Sequence, residues 1–274
     1  MAQARTGPGI VVRFALPREE LRPYVTTYYF TEIRCSEREP AFEDYLHPEW
    51  PNLRFIRSVR CESAIGPEPM RSVPAFAARL VKGQAGDYAD RFVDGLADPA
   101  FAAFHPLARA LDDAEAGFEG GLAVIEEHMD RILASGGRAR AEESGTIRAI
   151  NAALVETELA TVADLAQRVG MTVRSLERLT RRAFGFTPKL LLRRQRFLRS
   201  LSQFMLDPSL KWLEALDCQY HDQAHFVRDF KRFMGMNPSD YAKLDKPFLV
   251  AAARARMEIA GQAVQGLHRP DGAP

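Results

Sequence analysis

Little in this 274-residue chain commits it to a particular chemistry. Its three cysteines, Cys35, Cys61 and Cys218, are widely spaced and odd in number, so they do not make a disulfide framework. The opening residues MAQARTGPGIVV lack the apolar core of a secretory signal. Near the other end, the run FLVAAARARM is short and broken by arginine, far below the roughly 20 residues that span a bilayer. A cytoplasmic protein with no membrane partner is the expectation. Gly-x-Gly-x-x-Gly, P-loop, nucleophile-elbow and metalloprotease patterns are all missing. No cupin-like His-x-His pair occurs in the N-terminal region, where His47 stands alone; His105 and His128 are expected as surface or interface residues rather than ligands. Asp112 and Asp113, though paired, read more simply as a solvated helix end. Neither an enzyme nor a cofactor is expected.

Charge is plentiful and unevenly placed. Residues 1–160 hold 18 Lys/Arg against 25 Asp/Glu, whereas residues 161–244 hold 15 against 8. The net charge of +1 thus hides an acidic N-terminal part joined to a basic C-terminal part. That division suits a regulatory or enzymatic unit beside one that binds a polyanion.

Periodicity changes along the same line. IVVRFAL, YVTTYYFTEIR, NLRFIRSVRC and FAARLVKG are rich in β-branched and aromatic residues and read as strands, with GPEPMRSVP and KGQAGD as turns. After about residue 105, HPLARALDD and LAVIEEHMDRILA read as amphipathic helices, and the sequence from about 146 to 245 is helical throughout. The expected fold class is α+β: an N-terminal mainly β domain, then an all-α domain. The expected boundaries are 1–135 for a ligand or dimerisation domain, 136–145 for a polar hinge, 146–245 for the helical domain and 246–274 for a helical, then flexible tail.

The helical region repeats itself. GFTP at 185–188 and GMNP at 235–238 lie fifty residues apart, each after a basic amphipathic helix and before another helix. In each, Gly ends one helix in a left-handed conformation, Thr187 or Asn237 caps the next, and Pro188 or Pro238 takes its first position. Two copies of one supersecondary unit follow. In the first, Thr161 and Asp164 form a capping box, Leu165 and Ala166 face inward, Gly170 makes the turn, and Thr172 caps a helix with Leu176, Leu179 and Ala183 inside. Its outer face carries Arg174, Ser175, Glu177, Arg178 and Arg181. In the second, Ser209 caps, Ala215 sits at the crossing, and Phe226, Phe230 and Phe233 face inward. Gln223, Ala224, His225, Arg228 and Lys231 lie towards the outside, and Asp222 reads as a cap. Between the copies, PKLLLRRQRFLRSLSQFM reads as one linker helix, which at ~1.5 Å per residue spans roughly 25 Å. A small residue at a crossing, a glycine turn and an apolar anchor are helix-turn-helix logic, and a basic outer face suits a major groove, so the expected DNA-binding residues are Thr172, Arg174, Ser175, Glu177, Arg178 and Arg181 in the first unit and Gln223, Ala224, His225, Arg228 and Lys231 in the second.

Residues from about 145 to 245 resemble the AraC/XylS family of bacterial transcription regulators. The likeness rests on TVADLAQRVGMTVRSLERLTRRAFGFTPKLLLRRQRF and on YHDQAHFVRDFKRFMGMNPSDY. It implies two helix-turn-helix units bridged by a linker helix, with contacts to double-stranded operator DNA from Arg174, Ser175, Glu177 and Arg178 in one and from Gln223, Ala224 and Arg228 in the other. The N-terminal part bears a looser likeness to a β-rich domain of some family members, carried by LRPYVTTYYF, HPEWPNLRF and FHPLARAL. A small-molecule effector, a homodimer or both are expected through its aromatic-rich strands around Trp50, with RNA polymerase as a further partner. Three residues depart from the family pattern: Gln219 where Gly is usual, Thr180 where an aromatic is common, and Glu214 at an aliphatic place.

Two other readings compete. Cys218, His221 and His225 have a spacing that resembles zinc ligation, which would make a metal-dependent enzyme, although the same residues serve as turn, cap and helix face. Alternatively, the chain is an interaction or effector-binding protein that keeps the fold with weak or lost DNA binding.

Overall fold

A computed structural model of the protein describes residues 3–6, 9–22, 24–35, 42–45, 52–57, 61–64, 69–79, 93–113, 117–135, 138–156, 159–206, 217 and 219–261. The fold is α+β. Among the described residues the strands are β1 (Gln3–Thr6), β2 (Ile10–Ala15), β3 (Tyr28–Ile33), β4 (Asn52–Phe55), β5 (Glu62–Ser63), β6 (Arg71–Ser72), β7 (Phe76–Arg79) and β8 (Val93–Asp94). The helices that follow are α1 (His105–Asp113), α2 (Phe118–Ala134), α3 (Arg138–Val155), α4 (Val162–Arg168), α5 (Val173–Phe184), α6 (Pro188–Leu206), α7 (Gln223–Met234), α8 (Pro238–Lys243) and α9 (Pro247–Ala260). Contacts gather the chain into two compact units, residues 1–49 with 193–274 and residues 50–192.

The first unit joins the two ends of the chain. Strands β1, β2 and β3 form an antiparallel sheet in that order, with Val12 opposite Thr31 and Phe14 opposite Tyr29. Burial along β2 alternates, as the two-residue period of a strand requires: Ile10, Val12 and Phe14 are buried. They pack on Ala251 and Ala255 of α9, flanked by Phe248, Ala252 and Ile259. Alanines four residues apart share one helix face and let the helix lie close to the sheet. The Arg256 guanidinium lies 5.7 Å from the centre of the Phe14 ring and donates to Thr27 Oγ1 at 2.9 Å. Lys246 gives the start of α9 no side-chain cap, and Asp44 supplies one, its Oδ2 accepting from Phe248 N at 2.8 Å. Burial pushes the Asp44 carboxyl above the usual carboxylate range, against the hydrogen bonds it receives. The unit's larger core is aromatic, with Phe197, Phe204, Tyr220, Phe226, Phe230 and Tyr241 buried together and Tyr45 packed against them.

The second unit holds the sheets β4-β7-β8 and β5-β6, followed by helices. Phe55 stacks on Phe76 at 4.7 Å, and Phe101 meets Phe76 edge-on at 6.4 Å. Gly95 lies so close to this cluster that a Cβ there would come within 2.5 Å of the Phe76 ring. His128 departs from the expectation of a surface or interface position, and His105 is half-buried. The ring of His105 is 2.9 Å from the Gly95 carbonyl. His128 is only 4% exposed, and its Nε2 meets the Ala103 carbonyl at 2.9 Å. Both imidazoles anchor the loop and 3-10 turn that precede α1 and α2, a role that the helix period alone does not reveal.

Residues 138–145, expected as part of a polar hinge, are helical and belong to α3. Ala, Arg and Glu, which make up most of this stretch, are strong helix formers, and they outweigh the isolated Ser144 and Gly145. The division into functional domains remains a proposal, since contacts group the chain in another way. The tail is helical through α9, and residues 262–274, expected to be flexible, lie outside the described residues.

Phe14→Ala should destabilise the first unit by roughly 3–5 kcal/mol, the usual cost of emptying a buried aromatic site. Denaturant unfolding gives the magnitude, and hydrogen exchange should show lost protection in α9. His128 gives a pH dependence. Burial lowers its pKa, so the folded form resists a proton that the unfolded chain accepts. Its contribution is therefore present above the ordinary value of about 6.5 and lost as pH falls through the lower folded value. Unfolding measured above and below that range should show the loss in the native sequence, and His128→Gln should flatten it.

Candidate nucleic-acid interface

The first of the two repeated units is built as its sequence requires. Thr161 Oγ1 accepts from Asp164 N at 3.1 Å and Asp164 Oδ2 accepts from Thr161 N at 3.0 Å, a complete capping box at the start of α4. Gly170 turns the chain at φ +65°, a conformation that costs most side chains roughly 1–2 kcal/mol. Leu165, Ala166 and Leu176 are buried, so α4 and α5 meet through their apolar sides. Thr172 caps α5, accepting from Ser175 N at 3.2 Å and donating to Ser175 Oγ at 3.0 Å. The end of α4 is held to the end of α3, with Arg168 Nε 3.0 Å from both Glu156 oxygens and Nη2 2.6 Å from one of them.

The faces of α5 are segregated. Leu176, Leu179, Thr180 and Phe184 are buried, while Arg174, Arg178 and Arg181 are exposed at spacings of four and three on the opposite side. Ser175 and Glu177 are half-buried at its margin. No residue among those described pairs with Arg174, Arg178 or Arg181. Thr180, one of the departures, is fully buried and satisfies its hydroxyl on the Glu177 carbonyl at 3.3 Å.

From residue 219 on, the second unit repeats this frame at an offset of fifty residues. Asp222 caps α7, accepting from His225 N at 2.6 Å, where Thr172 caps α5. Gly235 ends α7 at φ +71°, as Gly185 ends α5 at φ +78°. Phe226 and Phe230 are buried and Phe233 packs against the same core. Ala224, Arg228 and Lys231 are exposed at the positions matching Arg174, Arg178 and Arg181, with Gln223 exposed beside them. Thr187 caps α6 as expected, its Oγ1 accepting from Leu190 N at 3.3 Å. Asn237 gives α8 no side-chain cap, and its amide nitrogen donates to Asp240 Oδ2 at 3.1 Å. Ser209, Glu214 and Ala215 lie outside the described residues.

His225 stands apart from the other expected contacts. It is half-buried, its ring meets Tyr220 edge-on at 5.2 Å, and its Nε2 lies 3.5 Å from Arg196 Nη2. Burial, then the charge of Arg196, lowers its pKa. His221 stacks near it at 6.1 Å, but Cys218, the remaining residue of the zinc reading, lies outside the described residues. Among the described residues no three His, Cys, Asp or Glu side chains gather as metal ligands.

The linker helix carries a polar seam that the sequence pattern did not single out. Arg193, Arg196 and Arg199 recur every three residues along α6 and face acidic partners instead of solvent. Arg193 Nε lies 3.1 Å from Asp229 Oδ1, with Nη2 closer still, and Arg196 Nη2 lies 3.8 Å from Asp229 Oδ2. Arg199 Nε donates to Asp217 Oδ2 at 2.5 Å. Gln219, the residue in place of Gly, is held within the seam: its N donates to Asp217 Oδ1 at 3.0 Å, its O accepts from Arg196 at 3.3 Å, and its Oε1 accepts from Arg199 at 3.4 Å. One available signal was Asp229 itself, a charged residue at an inward position beside Phe226 and Phe230. The basic excess of residues 161–244 therefore overstates the charge free to meet a polyanion.

Residues 165–244 match a family model described as a helix-turn-helix domain. Comparison with curated proteins and with solved structures gives no significant match. The looser likeness of the N-terminal part finds no support. No helix among the described residues is long and apolar enough to cross a membrane.

The two caps offer a direct check on how α5 and α7 are held. Thr172→Ala and Asp222→Ala should each cost about 1 kcal/mol in urea unfolding, with the core residues unaltered.

Proposed function

We infer that this protein, a DNA-binding transcription regulator of the AraC/XylS type by its residues 165–244, reads two adjacent major-groove segments of an operator through α5 and α7. The observation that carries the reading is the repeated face: exposed side chains at 174, 178 and 181, without partners among the described residues, recur fifty residues on as exposed side chains at 224, 228 and 231, each set opposite a buried stripe. Arginine donates bidentately to guanine edges and also neutralises phosphates, so one such face supplies both readout and affinity. In this reading Arg174, Ser175, Glu177, Arg178 and Arg181 serve the first segment, and Gln223, Ala224, Arg228 and Lys231 the second. Thr172 and His225 support the helices from their margins. The N-terminal part adds control by a small molecule, by dimerisation or by both, and RNA polymerase is a further partner. The matched domain is regulatory in kind and carries no enzymatic role in this reading.

Operator selection with the purified full chain, followed by variants, tests the assignment. Arg178→Ala and Arg228→Ala should each weaken operator binding by roughly 1–3 kcal/mol and relax specificity at one position if they contact bases. Affinity of the native protein should fall steeply and log-linearly with salt. Unchanged binding in both variants would overturn the reading in favour of a chain that keeps the fold without using it on DNA.

A further inference from the structure

Asp229 occupies the place in α7 that Leu179 occupies in α5, fifty residues earlier, and both are buried. An apolar residue suffices in the first unit, so the second has exchanged an apolar contact for a charged one at the same point of the frame. The exchange is matched on the linker. Arg193 of α6 donates to one carboxylate oxygen through two nitrogens. The other oxygen accepts from Tyr220 OH at 3.2 Å and has Arg196 Nη2 at 3.8 Å. Arg196 reaches on to the Gln219 carbonyl at 3.3 Å and lies 4.8 Å from the centre of the Tyr220 ring. One buried carboxylate thus joins the linker helix, the turn and the recognition helix. His225 Nε2 sits 3.9 Å away on the same helix, so the groups facing Asp229 are Arg193, Arg196, Tyr220 and His225.

Apolar packing tolerates small slips along a helix, whereas a carboxylate held through one oxygen by two Arg193 nitrogens and through the other by Tyr220 is fixed in distance and direction together. We propose that Asp229 is a positioning residue for DNA recognition: through Arg193 and Arg196 it sets the rotation and register of α7 on the linker, and so decides where Arg228 and Lys231 are presented. This rests on the reading of α7 as a DNA-recognition helix. It also explains how Gln219 is accommodated where Gly is usual, since the same arginine clamps the turn through its backbone carbonyl.

The test uses the full chain on its selected operator and measures base discrimination at each position together with thermal melting. The positions read by α7 are those whose discrimination is lost in Arg228→Ala. Asp229→Leu should lower discrimination there by about tenfold or more and leave the positions read by α5 unchanged. Asp229→Leu also leaves the Arg193 and Arg196 guanidinium groups without their carboxylate; Arg196 keeps the Gln219 carbonyl and the Tyr220 ring, so Arg193→Met/Asp229→Leu is the decisive variant: buried ionic partners replaced together by apolar ones often keep or regain stability. Melting near that of the native protein with discrimination still lost supports positioning. Full discrimination in the double variant overturns it, because any hydrophobic contact would then serve. If both variants fail to fold, Tyr220→Phe removes one donor from the carboxylate and should cost a few-fold, confined to the α7 positions. Unchanged discrimination in that variant overturns the proposal too. A native protein that discriminates nowhere removes the DNA-reading assignment itself, and positioning falls with it.

Discussion

Taking a carboxylate out of water costs several kcal/mol unless donors replace its hydration. Asp229 is completely buried, and the donors that compensate it come from two other pieces of chain, α6 and the turn before α7. Compensation and placement are therefore one event, because the helix cannot move without uncovering the charge. Burial pushes the Tyr220 phenol well above its ordinary range, and the neighbouring Asp229 charge adds to that, so the hydroxyl remains a donor at any physiological pH. Asp217 repeats the arrangement on a smaller scale, with Arg199 on its carboxylate and Ser200 Oγ accepting from its N at 2.8 Å.

The same unit depends on the other end of the chain. Strand β2 covers the alanine face of α9, and Asp44 caps that helix from 204 residues away. Lys246, between α8 and α9, spends its ammonium on the carbonyls of Tyr241 at 3.0 Å and Leu244 at 2.8 Å, and lies over the Tyr241 ring. The aromatic core beneath α7 is thus continuous with residues that the sequence places in a separate, N-terminal domain. The reason is ordinary burial. An apolar strand face and an alanine-rich helix each need a cover, and here each supplies the other's.

Much of both helix-turn-helix units was legible. Caps at Thr161, Thr172, Thr187 and Asp222 follow from the local competition of short polar side chains for free backbone N–H groups. Left-handed ends at Gly185 and Gly235 follow from the absence of a Cβ, and the buried stripes follow from helical spacing. Less legible were His128, Arg193, Arg196 and Arg199, which look like surface residues by type. Their partners lie well away in sequence, and no local rule pairs a histidine with a carbonyl 25 residues distant. Asn237, expected as a cap, also misled: its amide nitrogen donates to Asp240, three residues on.

What the sequence by itself determined is whatever depends on neighbours within a helical turn or on a repeating period: the helices and their caps, the duplicated unit, the segregated faces of α5 and α7. Tertiary structure alone decided which charges are free and which are consumed. Arg178 and Arg193 are the same residue type on basic amphipathic helices, yet one is exposed with no partner among the described residues while the other lies against a buried carboxylate. Desolvation draws that distinction, because an arginine is available to a phosphate only when folding has not already supplied its counter-charge.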